Sequence, residues 1–254
     1  MAIVLFTDFG SAGIYLGQVK AAIEREAPGI PVIDLFNDAP AFNIRAAAHL
    51  LASLVPEFPQ GSVFVAVVDP GVGGTRVPVA LRADGYRFVG PDNGLLSVFA
   101  ARAARIEVFR IAWKPGRLSS SFHGRDLFAP VAARIATDTL PRGWLAPLPG
   151  LAVDFGPAGL AEIIHVDRYG NAMTGLRAAG APRGAMLTLK RRRLGRARTF
   201  ASMRQGEAFW YANSQGLVEV AVNQGSAADS LRLRIGDRVA WTPALKGSGS
   251  RGSR

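Results

Sequence analysis

Ala2-Ile3-Val4-Leu5-Phe6-Thr7-Asp8-Phe9-Gly10 is an apolar, β-branched run that stops on an acid and a glycine, and a helical pattern from about Ile14 to Glu26 follows directly. An apolar run bounded by a turn signal reads as a buried strand, and the periodic stretch after it as the helix of a βα unit. The alternation continues downstream. A second strand is expected near Pro31–Leu35, a helix near Asn43–Val55 with Asn43 as N-cap, and a third strand near Ser62–Val68. This order predicts an α/β fold whose N-terminal part is a mostly parallel sheet flanked by helices. Val77–Leu81 and Tyr86–Val89, joined by Ala83-Asp84-Gly85, read as an antiparallel excursion. Helices are expected from Gly94 to Ala103 and from about Asp126.

Beyond Pro141 the pattern changes. Proline and glycine crowd the stretch from Pro141 to Gly159, as in a linker or surface wrap. From Ala161 onward come short strand-like runs separated by turns, among them Ala161–Val166, Asn171–Leu176, Glu207–Ala212 and Leu217–Val222. Runs of that kind suggest a small antiparallel barrel or sandwich. The expected organisation is an α/β catalytic domain over 1–150, a small C-terminal antiparallel β-barrel domain over 151–243 and a disordered tail over 244–254, which lacks any apolar anchor.

Composition narrows the function classes. With 254 residues, 49% of them hydrophobic, the chain can bury a sizeable core. No stretch reaches the roughly 18 apolar residues of a membrane span, and no basic segment precedes the first apolar run, so a cytoplasmic protein without membrane contact is expected. The absence of cysteine removes disulfides, thiolate metal sites and a cysteine nucleophile. A net charge of +11 raises nucleic acid as a partner. The one dense basic run, Lys190–Arg193 with Arg196 and Arg198, is broken by Gly195 between candidate strands. It reads as a solvated face, and nucleic acid is not the expected partner.

Four polar, glycine-rich clusters each follow an apolar run: Thr7–Gly10, Val68–Gly73, Pro91–Gly94 and Phe122–Asp126. In an open parallel sheet the carboxyl ends of the strands border one crevice, so acids placed there are candidates for a shared ligand site. Each cluster alone could equally be caps and turns. None matches a P-loop, and no G-x-G-x-x-G opens a helix, which argues against nucleoside triphosphate chemistry. The three histidines, His49, His123 and His165, lie far apart in sequence, and no metal site is expected. His49 reads as a residue of an alanine-rich helix, and His165 as one of an alternating strand.

Val68–Arg76 (VDPGVGGTR), Pro91–Gly94 (PDNG) and Ser119–Asp126 (SSSFHGRD), followed by Asp167–Asn171 (DRYGN), Asn213–Gly216 (NSQG) and Val218–Ala228, strongly resemble the S-adenosyl-L-methionine hydroxide adenosyltransferases, relatives of fluorinase and chlorinase. The resemblance spans roughly residues 2–242. It implies cleavage of S-adenosyl-L-methionine to adenosine and L-methionine by water or hydroxide attacking the ribose 5′ carbon, without a cofactor. It also implies a homotrimer whose sites lie where the α/β domain of one subunit meets the small β domain of its neighbour. Asp69, Arg76 and His123 carry over as the water-activating triad. Asp8 carries over as the residue gripping the ribose diol, Asn171 as reader of the adenine edge, and Asp167 and Ser214 as holders of the methionine. Val222 and Glu219 are expected beside the purine.

The chemistry is consistent with those residue types. Displacement at the ribose 5′ carbon releases neutral methionine from a sulfonium, so the leaving group needs no acid and the burden falls on positioning water. Two departures from the family pattern stand out: Gly13 occupies a position where a carboxylate often helps to bind the substrate ammonium, and Met173 follows Asn171-Ala172 where a larger aromatic side chain often packs. Two other readings stay open, a halogenase acting at the same carbon and a non-catalytic adenosine or S-adenosyl-L-methionine binding protein. Asp69 and His123 beside the nucleophile oppose a halide pocket, which a carboxylate would repel.

Overall fold

The computed structural model describes residues 1–243, so the expected tail over 244–254 lies outside the described residues. The chain divides into two compact units, Met1–Ala158 and a second that begins at Gly159.

In the first unit the elements run β1 (Ile3–Thr7), α1 (Tyr15–Glu26), β2 (Val32–Phe36), α2 (Ile44–Leu54), β3 (Val63–Val67), β4 (Pro78–Ala83), β5 (Tyr86–Pro91), α3 (Ser97–Arg102), β6 (Ile106–Ile111), α4 (Ala129–Ala136) and β7 (Leu145–Leu148). The strands form one sheet in the order β2-β1-β3-β5-β4-β6-β7. Pairings from β2 through β5 are parallel; β4 pairs antiparallel with β5 and β6, and β6 with β7. The sheet is therefore mixed, with an antiparallel flank on a parallel centre. Strands β6 and β7 are not among the elements expected from the sequence: in β6 the adjacent Val108 and Phe109 break the two-residue alternation between Glu107 and Arg110, directly after alanine-rich helix, and β7 carries Pro147 within a Pro/Gly-rich stretch. An edge strand tolerates that proline.

Every residue of β1 and β3 is buried, as the centre of a helix-covered sheet requires. Ile3, Leu5, Val63, Val65 and Val67 share one cluster with Val19 and Ile23 of α1 and Val131 and Ala132 of α4. The alternate residues face the other way, where Phe64 stacks on Phe88 and Phe88 meets Phe99 of α3. Asn43 caps α2, its side chain accepting from the backbone N–H of Ala46 at 3.0 Å. The wrap after β7 stays with this unit: the backbone N–H of Ala152 donates to Asp92, that of Phe155 to Ser97, and Arg102 donates to the carbonyl of Pro157.

The second unit contains the expected antiparallel strands: β8 (Leu160–Val166), β9 (Ala172–Arg177), β10 (Met186–Leu189), β11 (Arg192–Leu194), β12 (Ala208–Ala212), β13 (Leu217–Val222) and β14 (Ala240–Thr242), with the short helix α5 (Ala227–Leu231). They lie in two sheets, β12-β13-β9-β8 and β11-β10-β14. Isolated bridges occur at Glu162↔Arg238 and Arg196↔Trp210. The shared core contains Leu187, Leu189, Trp210, Val218 and Val220. Much of the basic run is engaged within the unit: Lys190 pairs with Asp237 at 2.7 Å, Arg193 donates to the carbonyl of Pro243, and the Arg196 guanidinium lies 5.4 Å from the Trp210 ring centre. Among the described residues no helix is long and apolar enough to cross a membrane.

Candidate active site

Topology alone gathers one set of side chains. Strands β1, β3 and β5 run the same way, so Asp8, Asp69 and Asn93 leave the sheet at one edge. Strand β4 is antiparallel, and its first residue Pro78 pairs with Pro91 at the end of β5, which puts Arg76 at that edge too. His123 arrives by the loop after β6, which ends at the same edge because Arg110 pairs with Val79.

Local packing then closes the arrangement. Gly73 has φ +78°, and a Cβ there would lie 2.4 Å from the carbonyl oxygen of Ser120, so only glycine lets the Asp69–Arg76 loop press against the Ser119–Phe122 loop. Asn93 donates from its side chain to the carbonyl of Val68 at 2.9 Å, fixing the residue before Asp69. His123 immediately precedes a single π-helical turn, Gly124–Phe128, that leads into α4. Such turns replace the regular ladder where side chains must be re-aimed. Phe9, Tyr15 and Phe122 pack against one another nearby, with centroids 5.1–6.4 Å apart.

At the centre the Arg76 guanidinium joins a carboxylate to an imidazole. Its Nε donates to Oδ2 of Asp69 at 2.9 Å and Oδ1 at 3.1 Å, and its Nη2 donates to Oδ2 at 2.5 Å. The same Nη2 lies 2.8 Å from Nδ1 of His123. The Asp69 and Arg76 side chains are only 4% and 10% exposed, so this pair is screened far less than a surface ion pair. A guanidinium has no acceptor and keeps its charge, so contact with Nδ1 requires the lone pair there, and the ring proton sits on Nε2. Burial, and then the Arg76 charge, hold the His123 pKa below its ordinary value. The imidazole is thus neutral near pH 7, in one tautomer.

Asp8 stands beside this group. Burial pushes its carboxyl above the usual range, its own backbone N–H opposes that shift, and the Asp69 charge adds to it. A cation bound beside Asp8 would favour its ionised form. Next to His123, Asp126 accepts from Arg125 at 2.6 and 3.0 Å and from the backbone N–H of Ser119 at 2.8 Å, which orders the approach of the His123 loop. Asp92 is different: its carboxylate holds the backbone N–H of Ala152, a structural role.

The remaining candidates belong to the second unit. Asp167 accepts from the backbone N–H groups of Tyr169 and Asn171 and from the Asn171 side chain at 2.9 Å, so it shapes the turn that presents Asn171. Asp167, Tyr169, Asn171, Tyr211, Val222 and Ser226 line a hollow of about 680 Å³. Glu219 is buried and does not line it. Its carboxylate accepts from Asn213 at 2.7 Å and from the Tyr211 hydroxyl, and burial, only partly offset by the Asn213 bond, raises its pKa. Ser214 lies exposed in the turn between β12 and β13. Sequence reasoning does not single out Tyr211 and Phe200, whose rings meet at 5.3 Å; the strand pattern of Ala208–Ala212 is the available signal for Tyr211, and Phe200 carries none. Met173 is buried in β9, opposite Glu219 and His165.

Gly13 is constrained by its own loop. A Cβ there would lie 2.5 Å from the carbonyl oxygen of Phe9, so the turn from Gly10 excludes any side chain. Among the described residues no group of three or more His, Cys, Asp or Glu side chains is arranged to hold a metal ion.

The fold and site define a two-unit α/β protein with a carboxylate–guanidinium–imidazole group at its strand ends. The chain belongs to the S-adenosyl-L-methionine hydroxide adenosyltransferase family: residues 3–143 match the model of the family's N-terminal domain and residues 161–240 that of its C-terminal domain. It is similar to the (R)-S-adenosyl-L-methionine hydrolases of Thermus thermophilus (40% identical, covering 92% of this chain and 96% of the relative) and Salinispora arenicola (41%, covering 93% and 95%). Fluorinases are more distant, that of Actinopolyspora mzabensis being 23% identical over 94% of this chain and 96% of its own. Among solved structures, an uncharacterised conserved protein of Thermotoga maritima superposes with a TM-score of 0.85 at 30% identity, covering 94% of this chain and 100% of that one.

Proposed function

We propose that this chain hydrolyses S-adenosyl-L-methionine to adenosine and L-methionine, with water attacking the ribose 5′ carbon and Asp69, Arg76 and His123 acting on that water. The observation that carries this reading is the hydrogen-bonded Asp69–Arg76–His123 group at the strand ends, where a neutral imidazole and a carboxylate are held by one guanidinium.

The electron and proton balance follows from those contacts. As the water oxygen bonds to C5′, the C5′–S bond breaks and its electron pair stays on sulfur, turning the sulfonium into neutral thioether. The attacking water becomes strongly acidic as the bond forms, so a carboxylate is base enough to take its proton. His123 cannot take it through Nδ1, which Arg76 occupies, and Nε2 already carries hydrogen; its part is to orient water by donating. Asp69 is therefore the proton acceptor. Arg76 fixes its two partners and so supplies the in-line geometry, an effect worth on the order of 7–11 kcal/mol when complete.

Asp8, with two acceptor oxygens, holds the ribose diol. Asn171 and Val222 hold the adenine, and Asp167 and Ser214 the methionine. Glu219 contributes through Tyr211. The small unit is read as a barrel domain that completes the site of a neighbouring copy in a homotrimer, which works in the cytoplasm without a cofactor. The curated relatives are named for the (R) epimer, and the same epimer is assigned to this chain.

The test is incubation with a mixture of the two sulfonium epimers, followed by chromatography with and without chloride. Adenosine and methionine in equal amounts, with only the (R) epimer consumed, are expected. Formation of 5′-chloro-5′-deoxyadenosine would establish the halogenase reading instead, and absence of turnover with retained adenosine binding would establish the binding protein.

A further inference from the structure

Arg76 and His123 also border a second cavity, of about 800 Å³, that lies within the first unit and does not include Asp69 or Asp8 in its lining. Arg110 at the end of β6 and Lys114 just after it line the same cavity, while Trp113 and Leu118 supply apolar wall. No carboxylate lines it. Arg110 and Lys114 are exposed, and neither has an acidic partner among the described residues. Arg76 spends Nε and Nη2 on Asp69 and His123, and no acceptor among the described residues holds its Nη1.

Three cations with unspent donors therefore converge on one apolar-walled cavity of the size of a small-molecule site. Arg76 has its counter-charge in Asp69, but Arg110 and Lys114 bring two further like charges beside it without one, which is unfavourable unless an anion joins them. A bare inorganic ion would leave Trp113 and Leu118 without contact.

We propose that this cavity binds an organic anion with an apolar body, its carboxylate, sulfonate or phosphate group held by Arg110, Lys114 and Nη1 of Arg76. An anion on Nη1 draws the guanidinium towards itself and away from the geometry in which Nε and Nη2 hold Asp69 and His123, so its occupation slows turnover without touching Asp8. This second consequence rests on the hydrolase reading; the binding itself does not.

The probe is 8-anilinonaphthalene-1-sulfonate, an amphiphilic anion whose emission rises in apolar sites. Wild-type protein is expected to bind it saturably, with energy transfer from tryptophan, and to lose S-adenosyl-L-methionine turnover as the site fills, kcat falling more than KM rises. The double variant Arg110→Gln/Lys114→Gln should bind at least about tenfold more weakly, because each charge-assisted bond is worth about that factor or more, while keeping its turnover when the probe is absent. Leu118→Glu, at a side chain 43% exposed, places a repelling carboxylate at the wall and should weaken binding similarly. Unchanged affinity in both variants, or no saturable binding, would overturn the site. Intact binding with unaffected turnover would overturn the coupling through Arg76. Binding without any hydrolysis in unprobed protein would support the site while refuting the hydrolase reading.

Discussion

Arg76→Lys isolates what the guanidinium fork does, because it keeps the positive charge beside Asp69. Removing the charge altogether would leave a carboxylate 4% exposed without its partner, a change that costs about 3–5 kcal/mol of stability and confuses folding with catalysis. A lysine ammonium is a point charge that can meet Asp69 but cannot span it and Nδ1 of His123 as Nε and Nη2 do. The substitution therefore removes at least the hydrogen bond to His123, which involves a charged group and is worth about 1.5–3 kcal/mol. If that bond fixes the tautomer used in the transition state, kcat falls about ten- to a hundredfold with little change in KM. Quantifying adenosine by chromatography gives both constants. Nitrogen-15 shifts of the imidazole give the tautomer, which should be Nε2–H in wild type and mixed in the variant. A variant within about twofold of wild-type kcat, or a wild-type ring protonated at Nδ1, would refute the reasoning.

Three further outcomes follow from other parts of the structure. His49 is 3% exposed with an unpartnered Nδ1, and burial together with the Arg102 and Arg45 charges lowers its pKa from 6.5 to about 4. The unfolded chain takes up that proton first, so stability is complete above pH 6.5 and declines as pH falls toward 4, by up to about 3 kcal/mol; urea unfolding at pH 8 and pH 5 should show this decline in wild type and much less of it in His49→Leu. Gly13→Asp should lower the melting temperature and weaken S-adenosyl-L-methionine binding, since its Cβ meets the Phe9 carbonyl at 2.5 Å; tighter binding by calorimetry would show that the loop yields and the ammonium contact forms. Glu219→Leu, which frees the Tyr211 hydroxyl and Asn213, should raise KM about tenfold with kcat nearly unchanged, whereas Glu219→Gln should remain close to wild type.

Much of the parallel centre is legible in the sequence because buried strands and amphipathic helices carry their own periodicity. Ile3–Thr7 and Val63–Val67 are apolar on both faces, and Asn43 announces a helix start that its side chain then makes. The antiparallel flank is less so: β6 exposes Ile106, Glu107 and Arg110, and β7 exposes Pro147, so neither strand displays a clean two-residue alternation of buried and exposed positions. The candidate residues at the nucleophile side are legible as types after strands, and the family resemblance names them. Tyr211, in a strand, and Phe200, in a short helical turn, are not, because an isolated aromatic residue reads as core until a hollow is seen beside it.

What the amino-acid order determined by itself was the α/β alternation, the acids and glycines after the strands, and the signature runs that mark the family. Each of these is local, written within a few residues. Tertiary structure decided how those local pieces act on one another. Arg76 follows Asp69 by one loop, yet it reaches His123, 47 positions onward, only because β4 runs antiparallel and Gly73 admits the Ser120 carbonyl. The tautomer of His123, the exclusion of any side chain at Gly13 and the unspent donors of Arg76 are properties of distances between segments remote in the chain. No periodicity encodes them, since they arise where backbone, charge and volume from several elements meet.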